Sequence, residues 1–380
     1  MLNVVHLHVH TEYSLVDGLT RIKQLVNTVK EKGMTSIAIT DHGVMYGAIE
    51  FYKACQKSDI KPIIGCETYL APNGRLDKTS TNRRNQHLIL LAKDYRGYKN
   101  LMKLISISHI EGFYYKPRID WETLKKYSQG LICTSACIEG EIAQLILDDN
   151  YDQAKTRAKD FQDLFGQDYY LEIQRHPNLE GQDKANEGII KISRDLGIPL
   201  VATNDAHYLK KDDAFAQDVL MMINTQTTIN DSKRLSLINI PDFYIKSPEE
   251  MSQQFADYPD ALENTQKIAD KCQLEIELGK WYFPKFKLPP KKTAEETLHD
   301  LVYQQAKNHY GKLTPEIKER LDYELDVINP KGYAAYFLIM YDFIRWTEKH
   351  NTPTNTRGSA GGCLVAYVLG ITSVDPLIYQ

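Results

Sequence analysis

"HLHVHTEYSLVDG" spans residues 6–18 and sets histidines at positions 6, 8 and 10, starting within the first extended run, NVVHLHV (3–9). Side chains two apart on a strand share a face. His6, His8 and His10 therefore project together where a core would take valine or leucine. A His-x-His pair on one strand places two imidazoles side by side, a disposition suited to chelating one ion. Further ligand-type side chains should then converge on that strand from elsewhere in the chain.

The first run opens a series. SIAIT (36–40), KPIIG (61–65), HLILLA (87–92), GLICTS (130–135), YYLEIQ (169–174) and IPLVATN (198–204) are short, apolar and rich in β-branched residues. Amphipathic stretches such as TRIKQLVNTVKEKG (20–33) and NEGIIKISRDLG (186–197) separate most of them, each ending on a glycine suited to a helix C-terminus. Repeated strand–helix alternation predicts an α/β fold with a parallel sheet, here a barrel of seven units.

Ligand-type residues recur at the strand ends: Asp41 and His42 after SIAIT, Glu67 after PIIGC, Cys137 after LICTSA, Asp205 and His207 after LVATN. The C-terminal ends of parallel strands are where sites assemble, so one mouth could collect them all. Helix capping is the plainer account of Asp17 and Asp41. It does not account for histidine, cysteine and glutamate at successive strand ends. His87 opens its run instead of closing it, which predicts an antiparallel strand or a start in a curved loop.

The 46 basic and 50 acidic residues of this 380-residue chain leave a net charge of −4, so contact with nucleic acid would need local patches. TNRRNQH (81–87) and the lysines of LPPKK are two such clusters, and solvated loop charge explains both as well. The N-terminus lacks the pattern of a secretory signal, and no apolar run reaches the ~18 residues of a membrane span. Six cysteines without framework spacing suggest reduced thiols and a cytoplasmic protein.

Character changes near residue 275. Residues 1–275 form the expected metal-binding domain; 276–298, with FPKFKLPPKKTAEETL (283–298), read as a linker; 299–380 read as a second, mostly helical domain. Its candidate helices are EIKERLDYELDVI (316–328) and the aromatic GYAAYFLIMYDFIRWTEKH (332–350), and RGSAGGCLVAYVLGITSVDP (357–376) passes from small residues into an apolar helix.

HLHVHT, DG, ITDHG, GCE, HL, SAC and TNDAHY, in that order, resemble the motifs of the polymerase and histidinol phosphatase (PHP) domain. They are most similar to the version found in bacterial replicative DNA polymerase III alpha subunits, and YGAIEFYKAC, GFYYKPRIDWE and LENTQKIADKC agree. The resemblance implies a distorted seven-stranded barrel holding up to three divalent ions, zinc or manganese. Their ligands would be His8, His10, Asp17, His42, Glu67, His87, Cys137, Asp205 and His207, with Glu67 bridging two ions and His6 outside the set. His8, His10, Glu67, Asp205 and His207 would act in catalysis through those ions. It implies 3′→5′ removal of nucleotides from a DNA primer–template. In full-length members the sliding clamp and a proofreading subunit are further partners.

Residues 299–380 resemble the start of the polymerase palm, where Arg357, Gly358 and Ser359 would meet the incoming nucleotide's triphosphate. PTNTRGS lacks the glycines of the family's Val-Gly-Pro-Gly stretch, and Cys363 stands where serine is usual. The Pro-Asp-x-Asp-x-Asp-Phe pattern that holds the polymerase's Mg²⁺ does not occur in these residues, so this chain by itself is not expected to polymerise DNA. Two other readings of the barrel are a metal-stabilised structural module that binds a proofreading partner, and a stand-alone phosphatase.

Overall fold

A computed structural model describes residues 3–80, 85–280 and 282–379. They form two compact units that divide between Ile276 and Glu277.

The first unit is built on a curled sheet of β1 (Ser36–Ile39), β2 (Lys61–Leu70), β3 (Gln86–Ala92), β4 (Arg118–Ile119), β5 (Leu131–Thr134), β6 (Tyr169–Gln174) and β7 (Leu200–Thr203). The order is β1-β2-β3-β5-β6-β7, with β4 paired to the far end of β2. β1 and β2 are parallel, as are β5, β6 and β7. β3 is antiparallel to both β2 and β5, one of the two arrangements expected from His87 opening its run, so the sheet is mixed. A parallel return needs a long crossover, usually helical. The described part of residues 71–85, between β2 and β3, contains no α-helix, and the chain simply doubles back.

Residues 6–10 connect the two ends of this order without forming a regular strand. Ala38 N donates to His6 O and Thr40 N to Val9 O; on the other side His10 N donates to Ala206 O and Ala206 N to His8 O. The step from His6 to Val9 is three residues where the step from Ala38 to Thr40, at the end of β1 and just beyond it, is two, the signature of a bulge. That irregularity defeats simple parity: His6 Nε2 donates to the Lys246 carbonyl, 2.9 Å away, and the ring lies buried apart from its neighbours.

Strand alternation divides the apolar residues between two layers. Ile37, Ile39 and Ile64 pack with Ile22, Leu25, Val26 and Val29 of the helix Ile22–Glu31, whose buried positions fall on one stripe. Ala38, Ile63, Ile89, Leu91, Ile132 and Val201 form a second cluster with Val5, Leu7 and Ile268. Arg83 and Arg84 of the first basic cluster lie outside the described residues. Among the described residues no helix is long and apolar enough to cross a membrane, and all six cysteines are unpaired.

The second unit packs the helices Ala294–Tyr310, Pro315–Ile328, Ala334–Lys349 and Leu364–Val368 around Leu298, Val302, Leu321, Leu325, Leu338 and Val365. Thr293 opens the first with a capping box to Glu296. Lys292 of the second basic cluster pairs with Asp300.

Candidate metal centre

All nine residues proposed as ligands lie at one rim of the first unit. Glu67 is the hub. Its carboxylate lies 3.3 Å from His8 Nε2, 3.9 Å from His10 Nε2, 2.7 Å from His87 Nδ1 and 3.9 Å from Cys137 Sγ, and it also contacts His42 Nδ1. Asp205 Oδ1 stands 3.1 Å from His8 Nε2 and 3.2 Å from His10 Nε2. Asp17 reaches His42 Nε2 at 3.3 Å and His207 Nε2 at 3.9 Å. The reversal of β3 accounts for His87: its strand begins where the parallel strands end, opposite Tyr69 of β2.

Local backbone geometry aims two of these side chains. Asp205 and Ala136, the latter just before Cys137, have φ of 47° and 59°, in the left-handed region that costs most residues free energy. The loop carrying Asp17 folds back on itself at Gly18, where a Cβ would lie 1.9 Å from Thr11 O. Gly18→Ala must therefore displace the loop. We expect it to weaken metal binding by about tenfold or more, the scale of losing a ligand's support, while circular dichroism stays unchanged.

Electrostatics in the metal-free cluster are those of imidazoles locked against carboxylates. Burial opposes the charge of His8, but Asp205 and Glu172 outweigh it and hold the imidazole well above its ordinary pKa. Asp17 and Glu67 do the same for His42. His10 is pushed down to about 3 by burial and by His42 and His207. Burial raises the Glu67 carboxyl, yet His87 and His42 leave it well below the usual carboxylate range. Burial, then Asp205 and Glu67, hold the Cys137 thiol well above its ordinary value.

The donor set fits divalent cations. His8 Nε2, His10 Nε2, His42 Nδ1, Asp17 Oδ1, Glu67 Oε2 and Asp205 Oδ1 are buried atoms without a well-formed hydrogen bond. Such atoms are rare and call for an explanation. Three ligand groups have donor atoms mutually within 4.8 Å: His10, His42 and His207; His8, His10 and Glu67; Glu67, His87 and Cys137.

Several residues support the cluster from outside it, and of these Ser14 and Glu172 escaped the sequence reading. Asp41 does not join the cluster; it accepts from Thr11 N and from the hydroxyls of Thr11 and Ser14. Because Ser14 donates to Asp41, its oxygen accepts from His10 Nδ1 at 3.0 Å, leaving Nε2 for the centre. His207 Nδ1 similarly donates to its neighbour's carbonyl, Asp205 O, at 2.8 Å. Glu172, inside β6, meets His8 Nδ1 at 2.7 Å. Its acidic side chain two positions from Gln174, in an otherwise apolar run, was the available signal.

Arg357, Gly358 and Ser359 belong to the second unit and are exposed. At the adjacent short helix, Leu364 N and Val365 N donate to the Glu324 carboxylate at 2.9 and 2.8 Å, so those amides already have an anionic partner.

Residues 6–176 match the family described as the PHP domain, and residues 296–380 match the bacterial DNA polymerase III alpha NTPase domain. Relatives named DNA polymerase III subunit alpha align along nearly the whole chain. The one from Borreliella burgdorferi is 47% identical over 99% of this chain and 33% of its own length. Those from Treponema pallidum and Aquifex aeolicus are each 43% identical, over 100% and 98% of this chain and 33% and 34% of theirs. The chain spans about a third of the length of these relatives. On the motifs, the curled sheet and this whole-chain similarity, the chain belongs to the bacterial DNA polymerase III alpha-subunit family, and its first unit carries a PHP domain.

Proposed function

We propose that the first unit is a metal-dependent phosphoesterase that removes nucleotides 3′→5′ from a DNA end, as part of a replicative DNA polymerase. The observation that carries this reading is the convergence of ligand-type side chains from the whole rim on Glu67 and Asp205. In it, His8, His10, Asp17, His42, Glu67, His87, Cys137, Asp205 and His207 hold up to three divalent ions, and the mix of imidazole, carboxylate and thiol suits zinc or manganese. Bound ions supply a lowered pKa for water and neutralise charge on the phosphate. The chain shapes access: His8, His10 and Glu67 form a buried inner wall, while His42, His87 and Cys137 are partly exposed and set the open side for a DNA end.

In the same reading residues 299–380 begin a palm, where Arg357, Gly358 and Ser359 serve the incoming nucleotide. The primer–template, sliding clamp and proofreading subunit are partners in the cytoplasm, and Mg²⁺ serves the polymerase site. Purified protein with Mn²⁺ or Zn²⁺ is expected to shorten a primer labelled near its 5′ end from the 3′ side. The double variant His8→Ala, Asp205→Asn is expected to abolish this. A double variant as active as the parent overturns the assignment; metal binding without any primer shortening makes the centre a stabilising one.

A further inference from the structure

His8 is gripped on both sides of its ring. Nε2 faces Glu67 and Asp205, whereas Nδ1 meets Oε1 of Glu172, a residue outside the ligand set, at 2.7 Å. Glu172 is only 2% exposed. Its other hydrogen-bond partners are neutral: Oε1 also accepts from the Thr203 hydroxyl and from Gln174 Nε2 at 2.9 Å, Oε2 accepts from the Thr134 hydroxyl, and its backbone N–H donates to Ser135 Oγ at 2.8 Å. Burying a carboxylate is expensive unless it is paired. Here β5, β6 and β7 each contribute a side chain to hold one beside a single imidazole.

We infer that Glu172 is the positioning residue that fixes His8 with its proton on Nδ1 and so presents the Nε2 lone pair to a divalent cation. An ionised carboxylate can only accept, so a hydrogen bond of this kind requires N–H at Nδ1. Carboxylate–imidazole–metal relays orient the ring and make the imidazole a stronger donor. On the Nδ1 side His10 is hydrogen-bonded to a hydroxyl and His207 to a backbone carbonyl, whereas the hydrogen-bond partner of His8 Nδ1 is a carboxylate from outside the ligand set. The inference rests on the metal-binding part of the function proposed above.

Glu172→Gln tests it in the full chain with zinc as the probe. Glutamine keeps the volume, and its carbonyl can replace Oε1 while the Thr134 hydroxyl turns from donor to acceptor, so mainly the charge is removed. Competition titration against a chromophoric chelator is expected to show a zinc affinity about 10–100-fold weaker than the parent's. In a His8→Ala background the same change should produce no further loss, because its effect passes through His8. A variant that binds zinc as tightly as the parent, or an equal loss with and without His8, overturns the assignment. A parent that binds no zinc or manganese overturns the proposed function as well, so the two failures are told apart. If Glu172→Gln does not fold, the ¹⁵N imidazole spectrum of the zinc-loaded parent decides. Zinc on Nε2 and a proton on Nδ1 of His8 is expected, and the reverse arrangement overturns the inference.

Discussion

Replacing Glu67 with glutamine is expected to lower metal affinity by about 100-fold or more and to reduce the DNA-end hydrolysis proposed above to background, since one carboxylate serves the His8, His42, His87 and Cys137 sides together. The metal-free protein should suffer too. Glu67 is fully buried, and its loss leaves imidazolium charge without its partner, a change that costs about 3–5 kcal/mol in comparable buried pairs. The pH dependence follows from the directions of the shifts. Glu67 has a depressed folded pKa, so its stabilisation is present above its unfolded value of about 4.3 and disappears as pH falls through the folded one. His8 and His42 have raised folded values, so theirs is complete below about 6.5 and fades as pH rises through those raised values. Urea unfolding of metal-free parent and variant should therefore differ most between about pH 4.5 and 6.5. Equal stabilities across that window, with normal zinc loading, would show that Glu67 is not the hub.

How far the sequence carries is clearest in individual residues. The common placement of His8, His42, Glu67, Cys137, Asp205 and His207 at one rim was legible because strand ends are short, strongly patterned and followed by recognisable turns. His87 was legible only as an anomaly, since the direction of β3 depends on how β2 is continued beyond Glu67, and β2 runs on to Leu70. β4, two residues long, has too little pattern to read. His6 was misaligned by parity because the bulge between residues 6 and 9 breaks the period of two. The outer support was the least legible part. Glu172 and Ser14 carry no spacing signal relative to His8 and His10, and Arg118, fully buried and donating to Gly112 O and Arg75 O, is fixed by loop geometry that no local pattern encodes.

Removing the ions by chelation is expected to lower the thermal midpoint of the first unit substantially and in a pH-dependent way. A ligand that binds only the folded state at a free concentration 1,000 times its Kd adds about 4 kcal/mol per site. For a domain near 250 residues each kcal/mol moves the midpoint by roughly 2–4 °C, so one site is worth roughly 8–16 °C. The direction of the pH effect is set by protons that must leave. Burial, with Asp205 and Glu67, keeps the Cys137 thiol protonated in the metal-free protein, and Asp205, Asp17 and their neighbours keep His8 and His42 charged. Coordination needs thiolate and neutral imidazole, so binding releases protons and strengthens as pH rises. Calorimetry with zinc and with a chelator at pH 6 and pH 8 should therefore show the larger separation at pH 8. A separation that is absent, or the same at both pH values, would mean that these histidines and Cys137 do not coordinate the ion, and that the carboxylate–imidazole contacts alone hold the rim together.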